Sequence, residues 1–565
     1  MINLKTKPFN LDDEGIRWVE TTLDEMTLEE KIGQLFCLIQ RSDDDWRGEA
    51  DDVLKYKPGG IQFRPLKSEV AWTIANYFQG NSKIPMFIAA NLESGGVGIV
   101  KEGTNFGSNM QIAATNDPGM ATKQGLICAK EGAAVGGNWA FAPCVDIDYN
   151  WRNPITNTRT YGSNPELVGK MGVAFTKAIQ KGGLAASIKH FPGDGMDERD
   201  QHLVATVNDM PCDEWDKTYG AVFQACIDAG ALTVMPGHIL LPEYSRKLRP
   251  GIKNEDIMPA TMSDELLNDL LREKLGFNGM IVSDATTMVG MLTQLPRSEA
   301  VPRVISAGCD MFLFARNIDE DYDYMTAGVK DGVITEQRLN DAVTRILAVK
   351  AAIGLHEKQK TRSLVPPASS LSIIGNEEHK TWAKDCADRS VTLVKSDKTL
   401  PISTGKGKRI LFYVLGDKGS LRVTGGKSPY FKEKLEREGF EVDVFEPINA
   451  MELRLRRIDE VIKEYDWVIY FSALATESNQ TTVRIEWDEP IGVNCPLFIP
   501  SVPTIFISME NPYHLLDVPR IRTFINAYTN TYETIDAVIE KLMGRSEFMG
   551  TSPVDPFLGK WDTRL

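Results

Sequence analysis

The chain has 565 residues, more than one ordinary domain holds, and its 42% hydrophobic and 25% charged residues are the make-up of a globular protein. Its net charge of −15 argues against nucleic acid, whose affinity rests on phosphate neutralisation, and against an anionic membrane surface. No run approaches the roughly 18 apolar residues of a membrane span, and Met1-Ile2-Asn3-Leu4-Lys5-Thr6-Lys7 leads into polar sequence with no signal-peptide core. The eight cysteines are scattered, with neither a CxxC pair nor zinc spacing. They read as small buried hydrophobes, so a cytoplasmic protein with no cofactor is expected.

Residues 10–32 read as helical, and Thr27 with Glu30 forms a capping-box pattern ahead of Ile32-Gly33-Gln34-Leu35. Short apolar runs then recur at Leu35–Ile39, Gly60–Phe63, Met86–Ala90, Trp139–Val145, Ala185–Ile188, Leu232–Met235, Met280–Val282 and Asp310–Phe314. Mostly helix-compatible sequence separates them. Continuous apolarity marks strands buried on both faces, as in a parallel sheet. Eight such units predict an α/β fold, a (β/α)8 barrel; a doubly wound sheet has the same local pattern.

A barrel requires polar residues just after its strands. They are there in Asn91-Leu92-Glu93-Ser94-Gly95-Gly96, in Asp146-Ile147-Asp148 with Arg152 and Arg159 beyond, in Lys189-His190, in Pro236-Gly237-His238 and in Ser283-Asp284. Helical sequence follows to about residue 353, with Gly354 as its C-cap. The polar, Pro-containing stretch after it reads as a linker, giving a catalytic barrel over 1–355, a linker over 356–375 and a smaller α/β sandwich domain over 376–565. In that last part a helix at 376–389 precedes Ser390-Val391-Thr392-Leu393-Val394-Lys395. Strand candidates Ile410–Leu415, Trp467–Ser472 and Pro503–Ser508 alternate with helical Lys432–Glu438 and Met451–Tyr465.

One loop carries a concentration of chemistry. After the apolar Leu184–Ile188 comes Lys189-His190-Phe191-Pro192-Gly193-Asp194-Gly195-Met196-Asp197-Glu198-Arg199-Asp200-Gln201-His202. Asp200 and His202 are two residues apart, close enough for one carboxylate to orient one imidazole. The bland reading is a charged surface loop.

The loop resembles the Lys-His-Phe-Pro-Gly-x-Gly-x-x-x-x-Asp-x-His signature of glycoside hydrolase family 3, in its N-acetylglucosaminidase branch. It departs with Asp194 where that branch usually has His, and with Gln201 where Ser is usual. Leu275-Gly276-Phe277-Asn278-Gly279-Met280-Ile281-Val282-Ser283-Asp284 resembles the family's nucleophile strand, with Pro259-Ala260-Thr261-Met262-Ser263 and Leu271-Arg272-Glu273 in the same block. The strand at Val391, and Asn511-Pro512-Tyr513, resemble the family's second domain, so the resemblance spans nearly the whole chain.

The resemblance implies Asp284 as nucleophile and His202, held by Asp200, as acid/base. A carboxylate suits an oxocarbenium-like transition state, and an imidazole near neutral pH can give and take a proton. Lys189, His190 and Arg159, the last in Asn157-Thr158-Arg159-Thr160-Tyr161-Gly162, fit contacts to sugar hydroxyl and acyl groups. Asn91 stands where relatives carry Asp. His238 either lines the site or is a packed core histidine. Asp194, Asp197 and Glu198 cluster without metal-ligand spacing, so no metal is expected. Val423-Thr424-Gly425-Gly426-Lys427 lacks a complete phosphate-loop pattern and reads as a turn.

The implied activity is a retaining exo-acting β-N-acetylglucosaminidase acting on a small carbohydrate. One alternative is a phosphorylase with inorganic phosphate as acceptor, because an imidazole does not repel phosphate as a carboxylate would. Another is a β-glucosidase taking its acid from Glu486 or Glu489 beside Trp487. A catalytically dead sugar-binding protein is disfavoured, since both proposed catalytic positions hold competent groups. Nucleic acid and membrane are not expected partners, and a homodimer is left open.

Overall fold

The computed structural model describes residues 2–40, 44–403, 407–417, 426–446 and 450–565. Residues 423–425 of the Gly-rich fragment noted above lie outside these. The chain divides into two compact units. The first comprises 1–106, 118–156 and 165–380; the second comprises 107–117, 157–164 and 381–565.

The first unit is built on eight parallel strands: β1 (Phe36–Gln40), β2 (Gly60–Phe63), β3 (Phe87–Ala90), β4 (Trp139–Ala140), β5 (Ala185–Phe191), β6 (Thr233–Pro236), β7 (Met280–Ile281) and β8 (Phe312–Leu313). Each pairs with the next from β1 to β7, and β8 pairs with β1. A parallel bridge between Val282 and Met311 joins β7 to β8, and Ser283 N–H donates to the Met311 carbonyl at 3.0 Å. The sheet therefore closes into a barrel, and the doubly wound alternative is set aside. Every residue of β2, β3 and β5 is buried, which is why these strands read as unbroken apolar runs. Trp139 fills the interior against Phe87 and Phe141, with ring centroids 4.9 and 4.8 Å away. Its indole N–H donates to Thr233 Oγ1 at 3.1 Å.

Local differences have local causes. The expected strand at Trp139–Val145 stops at Ala140 because Pro143 has no N–H for the ladder. Beyond it the Ala142 carbonyl accepts the Ser187 N–H at 2.9 Å, and a bridge between Cys144 and Lys189 keeps the chain beside β5. The helix expected over 10–32 is two, Asp13–Glu25 and Leu28–Gln34, because Thr27 caps the second with the reciprocal bonds of a capping box. Gly354 adopts φ +73°, the left-handed geometry of a helix end. After it come a short helix, Leu355–Lys360, and a turn, Ala368–Ile373.

The second unit holds a six-stranded sheet of β9 (Thr392–Lys395), β10 (Arg409–Leu415), β11 (Glu441–Val444), β12 (Trp467–Ser472), β13 (Thr504–Ser508) and β14 (Thr523–Asn526). Its spatial order is β9-β14-β13-β12-β10-β11, all parallel except β9 against β14. β11 and β14, four residues each, escaped the sequence reading. The expected helix Met451–Tyr465 breaks into Ala450–Leu455 and Ile458–Glu464. Phe412, Ile469, Ile507 and Ile525 pack on one face of the sheet. On the other, Tyr413, Tyr470, Phe506 and Phe524 stack ring on ring across registered neighbours. Among the described residues no helix is long and apolar enough to cross a membrane.

Candidate active site

A bulge at the end of β5 decides which side chains meet. Strand alternation alone would send Lys189 and His190 to opposite faces. β5 pairs with β6 at Lys189–Met235 and then at Phe191–Pro236, so the register shifts and His190 is passed over. Such irregularities re-aim side chains beside functional sites. Here Lys189 Nζ reaches Glu93 Oε1 at 2.5 Å, just past β3, and His190 Nδ1 reaches Asp146 Oδ2 at 2.7 Å, past β4. The other imidazole nitrogen, Nε2, lies 3.8 Å from Asp284 Oδ2, past β7.

Asp146 organises this side of the site. Its Oδ1 accepts the backbone N–H groups of His190 and Asp194 at 3.1 and 2.8 Å, and its Oδ2 accepts the Cys144 thiol at 3.1 Å. Burial pushes its carboxyl up, but His190 and those N–H groups outweigh this and bring it down to about 2. Asp194 goes the other way: burial and the Asp146 charge raise it to about 8. Asp284 is also pushed up by burial. The imidazoles of His190 and His238 and the Ala285 N–H, 2.7 Å from Oδ1, more than offset that and hold it below the usual carboxylate range. It is thus an ionised carboxylate facing an imidazole.

The second group lies on the loop after β5. His202 Nδ1 is 2.7 Å from Asp200 Oδ1, which also accepts the His202 backbone N–H at 2.8 Å. The Asp200 side chain is 1% exposed and that of His202 32%, so the carboxylate is hidden and the ring is open to a ligand. The His202 carbonyl accepts the Val289 N–H at 3.0 Å, tying this loop to the turn that follows Asp284. The His202 imidazole is also among the groups that hold the Asp284 carboxyl low.

Asn91 is exposed directly after β3. His238 is fully buried, with Nδ1 2.9 Å from Thr261 Oγ1 and Nε2 3.0 Å from the Ala285 carbonyl. Its Nε2–H must donate to that carbonyl, and burial lowers its proton affinity. It braces Ala285, the residue that binds Asp284, with both ring nitrogens spent inside the protein. Arg159 ends the short helix Asn157–Arg159 on a segment that groups with the second unit. Glu486 and Glu489 are exposed residues of the second unit.

Asp197 bonds Arg199 and the Val207 N–H, while Glu198 lies 3.8 Å from Arg152, so these carboxylates face different partners. Among the described residues a metal-sized group is found in Cys144, Asp146 and His190 instead. Their donor atoms already bond one another, at 2.7 and 3.1 Å.

Sequence reasoning gave no role to Glu93, Asp146 or Gln201. The first two were visible as acidic residues at strand ends. Gln201 carried no signal except its departure from the loop signature.

The chain matches the description "Glycosyl hydrolase family 3 N terminal domain" over residues 27–349. It is 49% identical over 570 residues to a protein of Cellulomonas fimi named beta-N-acetylglucosaminidase/beta-glucosidase, covering 100% of both chains. Among solved structures, beta-glucoside phosphorylase BglX superposes with a TM-score of 0.92 at 43% identity, covering 99% of each chain. A family 3 beta-N-acetylglucosaminidase from Paenibacillus sp. str. FPU-7 superposes at 0.79 with 24% identity, over 94% of this chain and 99% of the other, a likeness of fold. With the family description matching more than half of its length and a full-length relative at 49% identity, the chain belongs to glycosyl hydrolase family 3 and is a glycoside hydrolase of that family.

Proposed function

We propose that the protein is a retaining, exo-acting β-glycosidase that removes terminal β-linked N-acetylglucosamine. Asp284 attacks the anomeric carbon while His202 protonates the departing glycosidic oxygen, leaving a glycosyl–Asp284 ester. His202 then takes a proton from an incoming water, whose oxygen displaces Asp284 from the anomeric carbon. Two inversions return the starting configuration. Lys189, His190, Arg159 and Asn91 are the proposed contacts to sugar hydroxyl and acyl groups, and His238 acts behind Asp284. The observation that supports this reading best is the bond from the Val289 N–H to the His202 carbonyl. It brings a partly exposed imidazole, backed by a buried carboxylate, beside the turn after an ionised Asp284.

In Asp284→Asn, cleavage of an aryl N-acetyl-β-glucosaminide should fall by at least about 10³-fold, the scale for loss of a nucleophile. Undiminished turnover would end the proposal.

A second reading keeps the site and replaces water with phosphate. It is favoured by the neutral-capable imidazole at the acid/base position, since a carboxylate there would repel the anion, and by the likeness to a beta-glucoside phosphorylase. Initial rates and products with and without phosphate separate the two. Sugar 1-phosphate as the main product assigns phosphorolysis, and free sugar at a phosphate-independent rate assigns hydrolysis. Running the panel on aryl β-glucosides as well as N-acetyl-β-glucosaminides assigns the sugar.

A further inference from the structure

Gln201 lies between Asp200 and His202 in the chain and is 1% exposed. Its Oε1 accepts the backbone N–H of His238 at 2.9 Å, which fixes the amide's orientation and leaves Nε2 as the donor on its other side. Nε2 faces Asp194 Oδ2 at 3.3 Å. Asp194 is 2% exposed and is itself pinned. Its Oδ1 accepts the Gly195 N–H at 2.7 Å and Asn153 Nδ2 at 3.0 Å, and its own N–H donates to Asp146 at 2.8 Å. The carboxamide thus spans from the end of β6 to the Asp146–His190 side of the site, and its backbone carries the Asp200–His202 pair. Asp194 and Gln201 are also the two positions where the loop departs from the family signature, and here they touch.

We infer that Asp194 and Gln201 form a clamp that positions His202 for proton transfer to the leaving group. This deepens the proposed function, resting on its assignment of His202 as acid/base. Gln201 is a positioning residue; it acts only through the backbone it holds. A misplaced acid penalises substrates in proportion to how much their leaving group needs a proton, whereas general loosening of the site penalises all substrates alike.

The test is kcat/KM across a series of aryl and alkyl N-acetyl-β-glucosaminides in the wild type, Gln201→Met, Asp194→Ala, the double variant and His202→Ala, with melting temperatures to confirm folding. Methionine keeps the volume of Gln201 and removes both bonds. The expected result for Gln201→Met is a fall of about 10–100-fold on poor leaving groups, the scale of a misplacement near 1 Å, and of under about threefold on dinitrophenyl substrates. The double variant should lose no more than about twice the larger single loss, because both changes break one contact. If His202→Ala shows the leaving-group signature and Gln201→Met shows uniform losses, or the single losses multiply, the clamp is overturned while the acid assignment stands. If His202→Ala itself lacks the signature, the underlying reading fails first. Should Gln201→Met not fold, Asp194→Ala carries the same comparison.

Discussion

Two buried carboxyl groups, joined by the Asp194 N–H that donates to Asp146 Oδ1 at 2.8 Å, are pushed in opposite directions. Asp146 is brought down to about 2 and Asp194 pushed up to about 8, because the first collects His190 and two N–H groups and the second is raised by burial and by the first one's charge. Their effects on stability have opposite signs. Asp146, depressed on folding, stabilises above its unfolded value near 4 and loses that contribution as pH falls towards 2. Asp194, raised on folding, contributes fully below about pH 4 and loses its contribution as pH rises through 8. Asp194→Asn removes the second effect. The melting-temperature advantage of wild type over this variant should therefore shrink between pH 5 and 9, and a gap that widened with pH would refute the assignment. Asp284, whose shift has the sign of Asp146, should remain ionised throughout that window.

At the scale of the element, the site depends on how β5 ends. The register shift at His190 lets consecutive side chains reach Glu93 and Asp146. The loop then needs close backbone approach. A Cβ on Gly195 would lie 1.9 Å from the Ile147 carbonyl oxygen, and Gly195 has φ +107°. Both facts exclude a side chain, so the loop closes against the end of β4 only with glycine there. Gly195→Ala should cost about 3 kcal/mol or more in denaturant unfolding, and it should reduce kcat/KM as Asp194 and its neighbours are displaced. A neutral result would show that the loop has slack that this geometry denies. The bulge had no local sequence signal: Ala185–Ile188 is readable as a strand from its apolar run, but where a neighbour skips a residue depends on β6, whose Met235 pairs with Lys189 from 46 positions later.

At the scale of the whole molecule, the first unit is closed by the meeting of its seventh and eighth strands, and Asp310 sits at that join. It is fully buried, bonded to Arg272 at 2.7 Å and Arg338 at 2.5 Å with Arg345 at 3.7 Å, and it accepts the Ile281 N–H at 2.8 Å. Burial pushes its carboxyl up and the three guanidinium groups hold it below the usual range. Removing this one charge leaves buried cations uncompensated. Asp310→Asn is expected to lower stability by about 3–5 kcal/mol, far more than breaking the exposed surface pair with Arg316→Ala. Equal melting temperatures for the two variants would contradict this.

What the amino-acid order determined by itself was whatever depends on near neighbours or on burial pattern. Strands enclosed on both faces must be apolar throughout, so the barrel's rhythm shows in the chain, and Asp200 can reach His202 because two residues separate them. The family resemblance added Asp284 through its strand. Tertiary structure alone decided the partners. Lys189 finds Glu93 across 96 positions, His190 finds Asp146 across 44, and His238 turns both nitrogens inward. A hydrogen bond between distant segments is fixed by how strands register around a closed barrel, and no local pattern encodes that register.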